Sequence, residues 1–265
     1  LATNRFVDNV NRTIASAYFN YTPVKWLTFS YRFGNDFYVD ARTHTAPGPK
    51  GTVGELINGD NGMGFISEYN LKSRIITSTA MANINHNITD DFSVDFKLGH
   101  DLRDSRVRRV STEGDTLVVP DLFLMQNTKR VLANSYIYDY RNYGVFADLT
   151  LGWKNILFLN VTGRNDWTST LSPDNRSYFY PSASLSYVFS EQISLPRWFD
   201  YGKLKFSYAK LGKDGEPYAI VTGFVPGTPI GSSVPFTQVN TLGNPNLRPE
   251  FTSTYELGTE LRFLK

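Results

Sequence analysis

Strict alternation of apolar and polar residues recurs along most of this chain, and the 3.6-residue periodicity of amphipathic helices is nearly absent. Clear examples are LTFSYRFG at 27–34, FSVDFKLG at 92–99 and VFADLTLGW at 145–153. Nine such segments follow one another, and we interpret them as nine antiparallel strands. Their alternating cores lie at 15–21, 27–33, 72–86, 92–98, 145–151, 157–164, 183–189, 204–208 and 255–263.

The connections between these strands differ in predicted length. Short turns are expected at 22–26, 87–91 and 152–155, with a modest one at 190–201. The alternate connections, at 41–64, 102–132 and 211–248, are long and rich in Gly, Pro, Asn and charge, and 168–177 is the shortest of that set. Short turns at one end and long loops at the other are typical of a transmembrane β-barrel. A soluble carbohydrate-binding β-sandwich is the alternative.

In a barrel of this kind, the apolar face of each strand meets lipid and the polar face lines a wet lumen. The residues expected to face lipid are Leu27, Phe29, Phe92, Val94, Leu149, Leu157, Leu185 and Phe206. The residues expected to face the lumen are Arg32, Lys97, Asp148, Asn160, Arg164 and Lys205. Trp26 and Trp153 fall at short turns, where they either anchor in lipid headgroups or simply pack beside the turn.

Nine strands cannot close an antiparallel barrel of the bacterial type, because these barrels have even strand numbers. The first and last strands would then be unpaired edges in lipid, where exposed backbone N–H and C=O groups are untenable. We therefore expect residues 1–265 to be part of a larger barrel domain.

Composition narrows the function further. Lys plus Arg number 27 and Asp plus Glu 25, and this near balance argues against a nucleic-acid binder. The chain has no cysteine and three histidines, so we expect no metal site and no cofactor. Because the common catalytic motifs are absent as well, we do not expect an enzyme. Aromatic residues make up 15% of the chain, which fits two-faced strands.

Two groups of residues are candidates for substrate contact. Asn165, Asp166 and Trp167, at the outer end of a strand, combine an amide, a carboxylate and an indole that suit a sugar. The favoured alternative is structural, with Asp166 capping the turn and Trp167 in the outer aromatic girdle.

The second group opens the long loop at 211–248. Asp214, Glu216 and Tyr218 at a barrel mouth suit a polar substrate, although solvated loop charge is the favoured alternative. Arg32, Arg164 and Asp148 are expected in the lumen, where the arginines either hold a plug domain through its carboxylates or steer anionic solutes.

Several stretches resemble the SusC/RagA family of TonB-linked outer-membrane transporters. The most specific are VTGRNDWTSTL at 161–171 and YFYPSASLSYVF at 178–189, within a region of resemblance at 142–191. YGKLKFSYAKLGKD at 201–214, GNPNLRPEFTSTYELGTELRFL at 243–264 and VKWLTFSYRFGNDF at 24–37 resemble barrel strands of that family.

The resemblance implies a plugged barrel of about twenty-two strands. Members of the family import glycan oligosaccharides, peptides or other nutrients across the outer membrane of Gram-negative bacteria. The implied partners are a SusD-like surface lipoprotein, the TonB complex acting through the plug region, and outer-membrane lipid. This chain resembles only barrel wall, without the plug. A SusC-like barrel that serves as a structural subunit of an outer-membrane assembly is a further alternative.

Overall fold

The computed structural model describes residues 4–47, 64–196, 198–227, 230–231 and 233–264. Eleven strands account for most of this part of the chain, with short 3₁₀ turns at Met125–Asn127 and Phe189–Glu191. No helix among the described residues is long and apolar enough to cross a bilayer. The strands are β1 Arg5–Val24, β2 Leu27–Ala46, β3 Phe65–Asn87, β4 Phe92–Leu117, β5 Thr128–Trp153, β6 Leu157–Thr168, β7 Ser177–Tyr187, β8 Phe199–Lys213, β9 Phe224–Pro226, β10 Phe236–Gln238 and β11 Glu250–Phe263.

The nine long strands form one sheet in the order β1-β2-β3-β4-β5-β6-β7-β8-β11, which confirms the predicted nine-stranded wall. Each registered neighbour is antiparallel. The short strands β9 and β10, which the sequence pattern did not reveal, pair with each other in a second sheet within the predicted 211–248 loop. A two-sheet sandwich would divide the long strands between two sheets, and this order does not.

The predicted loop boundaries are wrong in several places. β2 extends to Ala46, β4 extends to Leu117 and β5 begins at Thr128, so the connection predicted at 102–132 shrinks to 118–127. The loop predicted at 168–177 spans 169–176 in the structure. It is shorter than the connection at 188–198, which joins strands at the opposite end of the sheet and was predicted to be one of the shorter ones. The predicted sorting of loops by length is therefore weaker than expected. The connection predicted at 41–64 falls mostly on 48–63, which lie outside the described residues.

The extra strand length has a physical explanation. Strands β1 to β5 have 20 to 26 residues, whereas about 9–11 tilted residues cross a bilayer. Outside lipid both faces of a strand can be polar, so alternation disappears and charged strand resembles loop. In this region Arg130 pairs with Asp115 at 2.6 Å (Nη2 to Oδ2) and Arg108 pairs with Asp139 at 2.8 Å.

The chain divides into two units that are described separately. The first lies within Leu1–Ser16, Gly34–Ile76 and Asp104–Asp139, and the second within Ala17–Phe33, Thr77–Arg103 and Tyr140–Lys265. All side chains of the candidate site described next belong to the second unit.

Candidate functional site

A continuous apolar row crosses five strands on one face of the sheet. Each strand contributes one residue to this row, paired across the sheet with the residue of the next strand. All five side chains are exposed, by 37% to 82%. The row consists of Leu151, Leu159, Leu185, Phe206 and Leu257. A solvent-facing row of this kind would be unfavourable in water, whereas it matches the lipid-facing band of a barrel.

An adjacent row, on the opposite face of the sheet, is polar. It consists of Thr150, Asn160, Ser184, Ser207 and Glu256. Asn160 Nδ2 donates hydrogen bonds to Asp148 Oδ1 at 3.0 Å and to Thr150 Oγ1 at 2.9 Å. Lys97, which lies near Asp148, pairs with Asp95 at 2.9 Å. This face can therefore offer hydrogen bonds and charge to a solute.

Arg164 is the centre of the densest charged group on the polar face. Its Nη2 donates to Asp101 Oδ1 at 2.9 Å and its Nε donates to Asp166 Oδ1 at 2.8 Å, while Nη1 makes a second contact with Asp101. The Tyr180 hydroxyl donates to the other oxygen of Asp166 at 2.7 Å. Asp166 is only 6% exposed. The guanidinium is thus held by two carboxylates, Asp166 on its own strand β6 and Asp101 on β4, on the far side of β5.

Asp214 collects hydroxyl donors where β8 ends and the long loop begins. Thr168 and Thr170, both nearly fully buried, donate to its Oδ2, and Tyr140 of β5 hydrogen-bonds the same carboxylate. No described basic side chain lies within ion-pair distance of Asp214. These contacts attach the start of the loop to β5 and to the 169–176 turn.

A family model described as "TonB dependent receptor-like, beta-barrel" matches residues 2–265. The chain belongs to this family. TonB-dependent receptor P26 of Formosa agariphila is 26% identical over 94% of this chain, and the chain spans 26% of that protein.

Solved structures agree with this assignment at the level of fold. A chain in the structure of the RagAB peptide transporter matches with a TM-score of 0.88 and 18% identity, over 98% of this chain and 29% of that one. The siderophore receptor PiuA of Acinetobacter baumannii matches with a TM-score of only 0.56 and 12% identity, over 98% of this chain and 39% of that one. The predicted wall of a TonB-dependent receptor barrel is confirmed.

In this TonB-dependent receptor wall, the first predicted group of substrate-contacting residues, Asn165, Asp166 and Trp167, is divided between the two faces of β6. Asp166 lies in the Arg164 cluster, whereas strand alternation puts Asn165 and Trp167 on the opposite face of β6, the face of the apolar row. Trp167 lies 5.6 Å from Tyr143, which lies 5.6 Å from His100, measured between ring centroids. Asn165 donates to Ser177 Oγ at 3.0 Å. The three side chains cannot contact one solute together.

The second predicted group of substrate-contacting residues, Asp214, Glu216 and Tyr218, does not form one site either. Asp214 is fixed by its hydroxyl donors, while Glu216 and Tyr218 are exposed in the following turn. Tyr218 has a positive φ of 68°. Arg32 lies over the Tyr18 ring at 5.6 Å and forms no ion pair with a described residue. Asp148 is placed beside Asn160 on the polar face, as described above.

Tyr140 lies outside the lipid-crossing part of β5, because about 9–11 residues counted back from Trp153 suffice to cross. Burial raises the pKa of its phenol to about 12, and the negative charge of Asp214 contributes to the rise. The phenol therefore stays protonated at physiological pH and donates to the carboxylate.

Sequence reasoning missed Asp101, Tyr140, Thr168 and Tyr180 as members of this site. Alternation alone could have placed Tyr180 and Asp166 on the same face, because both lie in strands whose apolar positions are clear. The partnership of Asp101 with Arg164 depends on a register that the sequence does not specify. Within the described residues, no group of three or more His, Asp or Glu side chains is arranged to hold a metal ion.

Proposed function

We propose that this chain forms part of the wall of a TonB-dependent importer of the SusC/RagA kind in the outer membrane of a Gram-negative bacterium. The observation that carries the proposal is the pair of adjacent rows across β5–β8 and β11, one apolar and one polar. Such a wall separates lipid from a wet passage. The family match supports an importer rather than an enzyme.

Residues 1–265 are, in this proposal, one stretch of a single barrel domain. The chain spans about a quarter of the length of TonB-dependent receptor P26, so further strands and a plug would come from the rest of such a protein. Energy would reach the transporter through contact between the plug region and the TonB complex. Arg32, which has no carboxylate partner among the described residues, is better suited to hold a plug than Arg164, whose guanidinium is already paired.

The proposed cargo is a nutrient with many hydrogen-bonding groups, either a glycan oligosaccharide or a peptide. The amides, hydroxyls and carboxylates of the polar rows would exchange hydrogen bonds with it without chemical conversion. A SusD-like lipoprotein would cover the extracellular mouth. The fold similarity to a chain of the RagAB peptide transporter supports this arrangement.

The test is uptake of labelled oligosaccharides and peptides by cells that express the protein in its natural length, with and without a functional TonB complex. Ser207 and Phe206 offer a matched pair on β8, because the first lies in the polar row and the second in the apolar row. Ser207→Trp should narrow the passage and slow uptake, whereas Phe206→Trp should leave it unchanged. Accumulation that is independent of TonB would refute the proposal.

A further inference from the structure

A row of alternating arginine and tyrosine side chains crosses four neighbouring strands within the first unit, outside the candidate site described above. It consists of Arg42 on β2, Tyr69 on β3, Arg109 on β4 and Tyr136 on β5. Arg42 Cζ lies 5.1 Å from the centre of the Tyr69 ring. Arg109 Cζ lies 6.0 Å from the same ring centre and 5.0 Å from that of Tyr136. Cation–π contacts of this kind stabilise a guanidinium group without neutralising its charge.

The two arginines of this row differ in how their charge is compensated. Arg42 pairs with Asp40 at 2.6 Å and lies 3.7 Å from Asp8. Arg109 forms no ion pair and no side-chain hydrogen bond with a described residue. The ring faces that it contacts offer no oxygen acceptor to its N–H donors. Arg109 therefore presents a positive charge and hydrogen-bond donors that another molecule can use.

Tyr136, next to this arginine, presents an open aromatic surface. Its side chain is 44% exposed, and Arg109 is its only cation or ring partner among the described residues. Arg109 itself is half-buried, so part of the water around its guanidinium has already been removed. A partly dehydrated cation attracts an anion more strongly than one in bulk water does. The pair thus combines a cation with a flat apolar surface at one place.

The unpaired charge belongs to one face of the sheet. Successive residues of a strand point to opposite faces, so Arg109 and its neighbour Arg108 lie on different faces of β4. Arg108 has a carboxylate partner. Asp36 and Arg42, an even number of residues apart on β2, share the face of the row, and Asp36 there pairs with Arg12 at 2.6 Å. This face therefore also carries an arginine whose charge is already compensated.

We propose that Arg109 and Tyr136 bind a carboxylated sugar unit, a uronate, of an acidic oligosaccharide. The inference rests on the proposed function, in which this face of the wall lines the passage, and it names the chemistry of the cargo. A uronate has a planar carboxylate that suits the two-pronged donors of arginine, beside a sugar ring whose C–H face can lie on tyrosine. An acidic peptide side chain supplies the carboxylate without the ring, so the exposed Tyr136 ring favours the sugar.

The experiment measures binding of tetragalacturonate to the full-length protein in detergent by isothermal titration calorimetry. The neutral probe is the methyl ester of the same oligosaccharide, which keeps the sugar rings and removes the charge. We expect the parent to bind the acid about tenfold more tightly than the ester, and Arg109→Gln to lose this preference. Arg12→Gln should keep it, because Arg12 has its own carboxylate partner on the same face. Equal affinities of the parent for the two probes would overturn the inference.

Two further variants separate the contributions of charge and ring. Tyr136→Leu should weaken binding of both probes by about threefold and leave the preference for the acid, because the ring contact does not depend on the charge. Arg109→Lys should keep part of the preference, which a folding defect at this position would not predict. A loss of preference in Arg12→Gln as large as that in Arg109→Gln would contradict a specific site.

A peptide of four glutamates tests the other class of acidic cargo. Binding of this peptide that depends on Arg109, without binding of tetragalacturonate, would assign the site to acidic peptides and overturn the sugar. Uptake of a neutral oligosaccharide is measured in cells that express the same variants. TonB-dependent uptake without a preference for the acid contradicts this inference alone. A preference for the acid together with uptake that does not need TonB contradicts the proposed function alone.

Discussion

Gly144 lies directly beneath Arg164, so closely that a Cβ atom at position 144 would be 2.7 Å from Arg164 Cζ. The same Cβ would come closer still to Arg164 Nη2 and to Asp166 Oδ1. Only glycine allows the guanidinium to lie flat on β5 while it reaches Asp101 and Asp166. The charged cluster thus depends on a backbone position that carries no charge.

Gly144→Ala should destabilise the barrel wall by about 1–3 kcal/mol, because the new methyl group displaces the ion pair from β5. The measurement is the urea midpoint of unfolding in lipid vesicles. Gly258→Ala is the control, since a Cβ there meets its nearest neighbour, Lys205 Cβ, at 3.9 Å. Equal effects of the two substitutions would contradict a specific role for the close approach at Gly144.

Arg164 and Asp101 should be energetically coupled. A double-mutant cycle with Arg164→Met and Asp101→Asn should give a coupling energy of about 1–3 kcal/mol, because the pair is partly buried and further joined to Asp166. The comparison cycle uses Arg130 and Asp115, whose arginine is 66% exposed. That pair should give about 0.2–1 kcal/mol. Coupling energies of the same size in both cycles would contradict the prediction.

The strands could be predicted from sequence wherever one face is apolar and the other polar, because the residues then alternate. Phe206 and Ser207 lie on opposite faces of β8, one apolar and one polar, so the face of each was predictable. The predictions failed where that alternation ends. Arg108 and Arg130 lie in the parts of β4 and β5 that the alternating segments do not reach, and the sequence there resembles loop.

The site was less predictable than the fold, because it depends on partners distant in sequence. Arg164 was singled out for the lumen, but its neighbours Asp101 and Tyr180 come from β4 and β7 through register. The trio at 165–167 was chosen for its chemistry without regard to the two faces of a strand. Alternation of side chains divides Asp166 from Asn165 and Trp167.

Asp214 should control the order of the loop that follows it. Asp214→Leu removes the acceptor shared by Thr168, Thr170 and Tyr140 and leaves these donors without it. We expect faster hydrogen exchange and faster proteolysis within 215–249, while β5–β8 keep their protection. Glu216→Leu is the control, because Glu216 is exposed in the adjacent turn. Similar loosening by both variants would argue against a specific anchor at Asp214.

Tyr140 should make stability fall at alkaline pH. The pKa of its phenol is raised to about 12 in the folded chain, first by burial and then by the charge of Asp214, against about 10 in an unfolded chain. The unfolded state therefore loses the proton first as pH rises. The stabilisation from Tyr140 is fully present below about pH 10 and is lost as the pH approaches 12.

Absorbance near 295 nm measures this ionisation directly, as the difference between the parent and Tyr140→Phe across an alkaline titration. The Tyr140 component should ionise near pH 12 in the parent. In Asp214→Asn it should ionise at lower pH, yet still above 10, because removing the carboxylate charge leaves the burial unchanged. A Tyr140 component that already ionises near pH 10 in the parent would mean that the phenol is not buried against Asp214, and the anchoring of the loop to β5 would have to be abandoned.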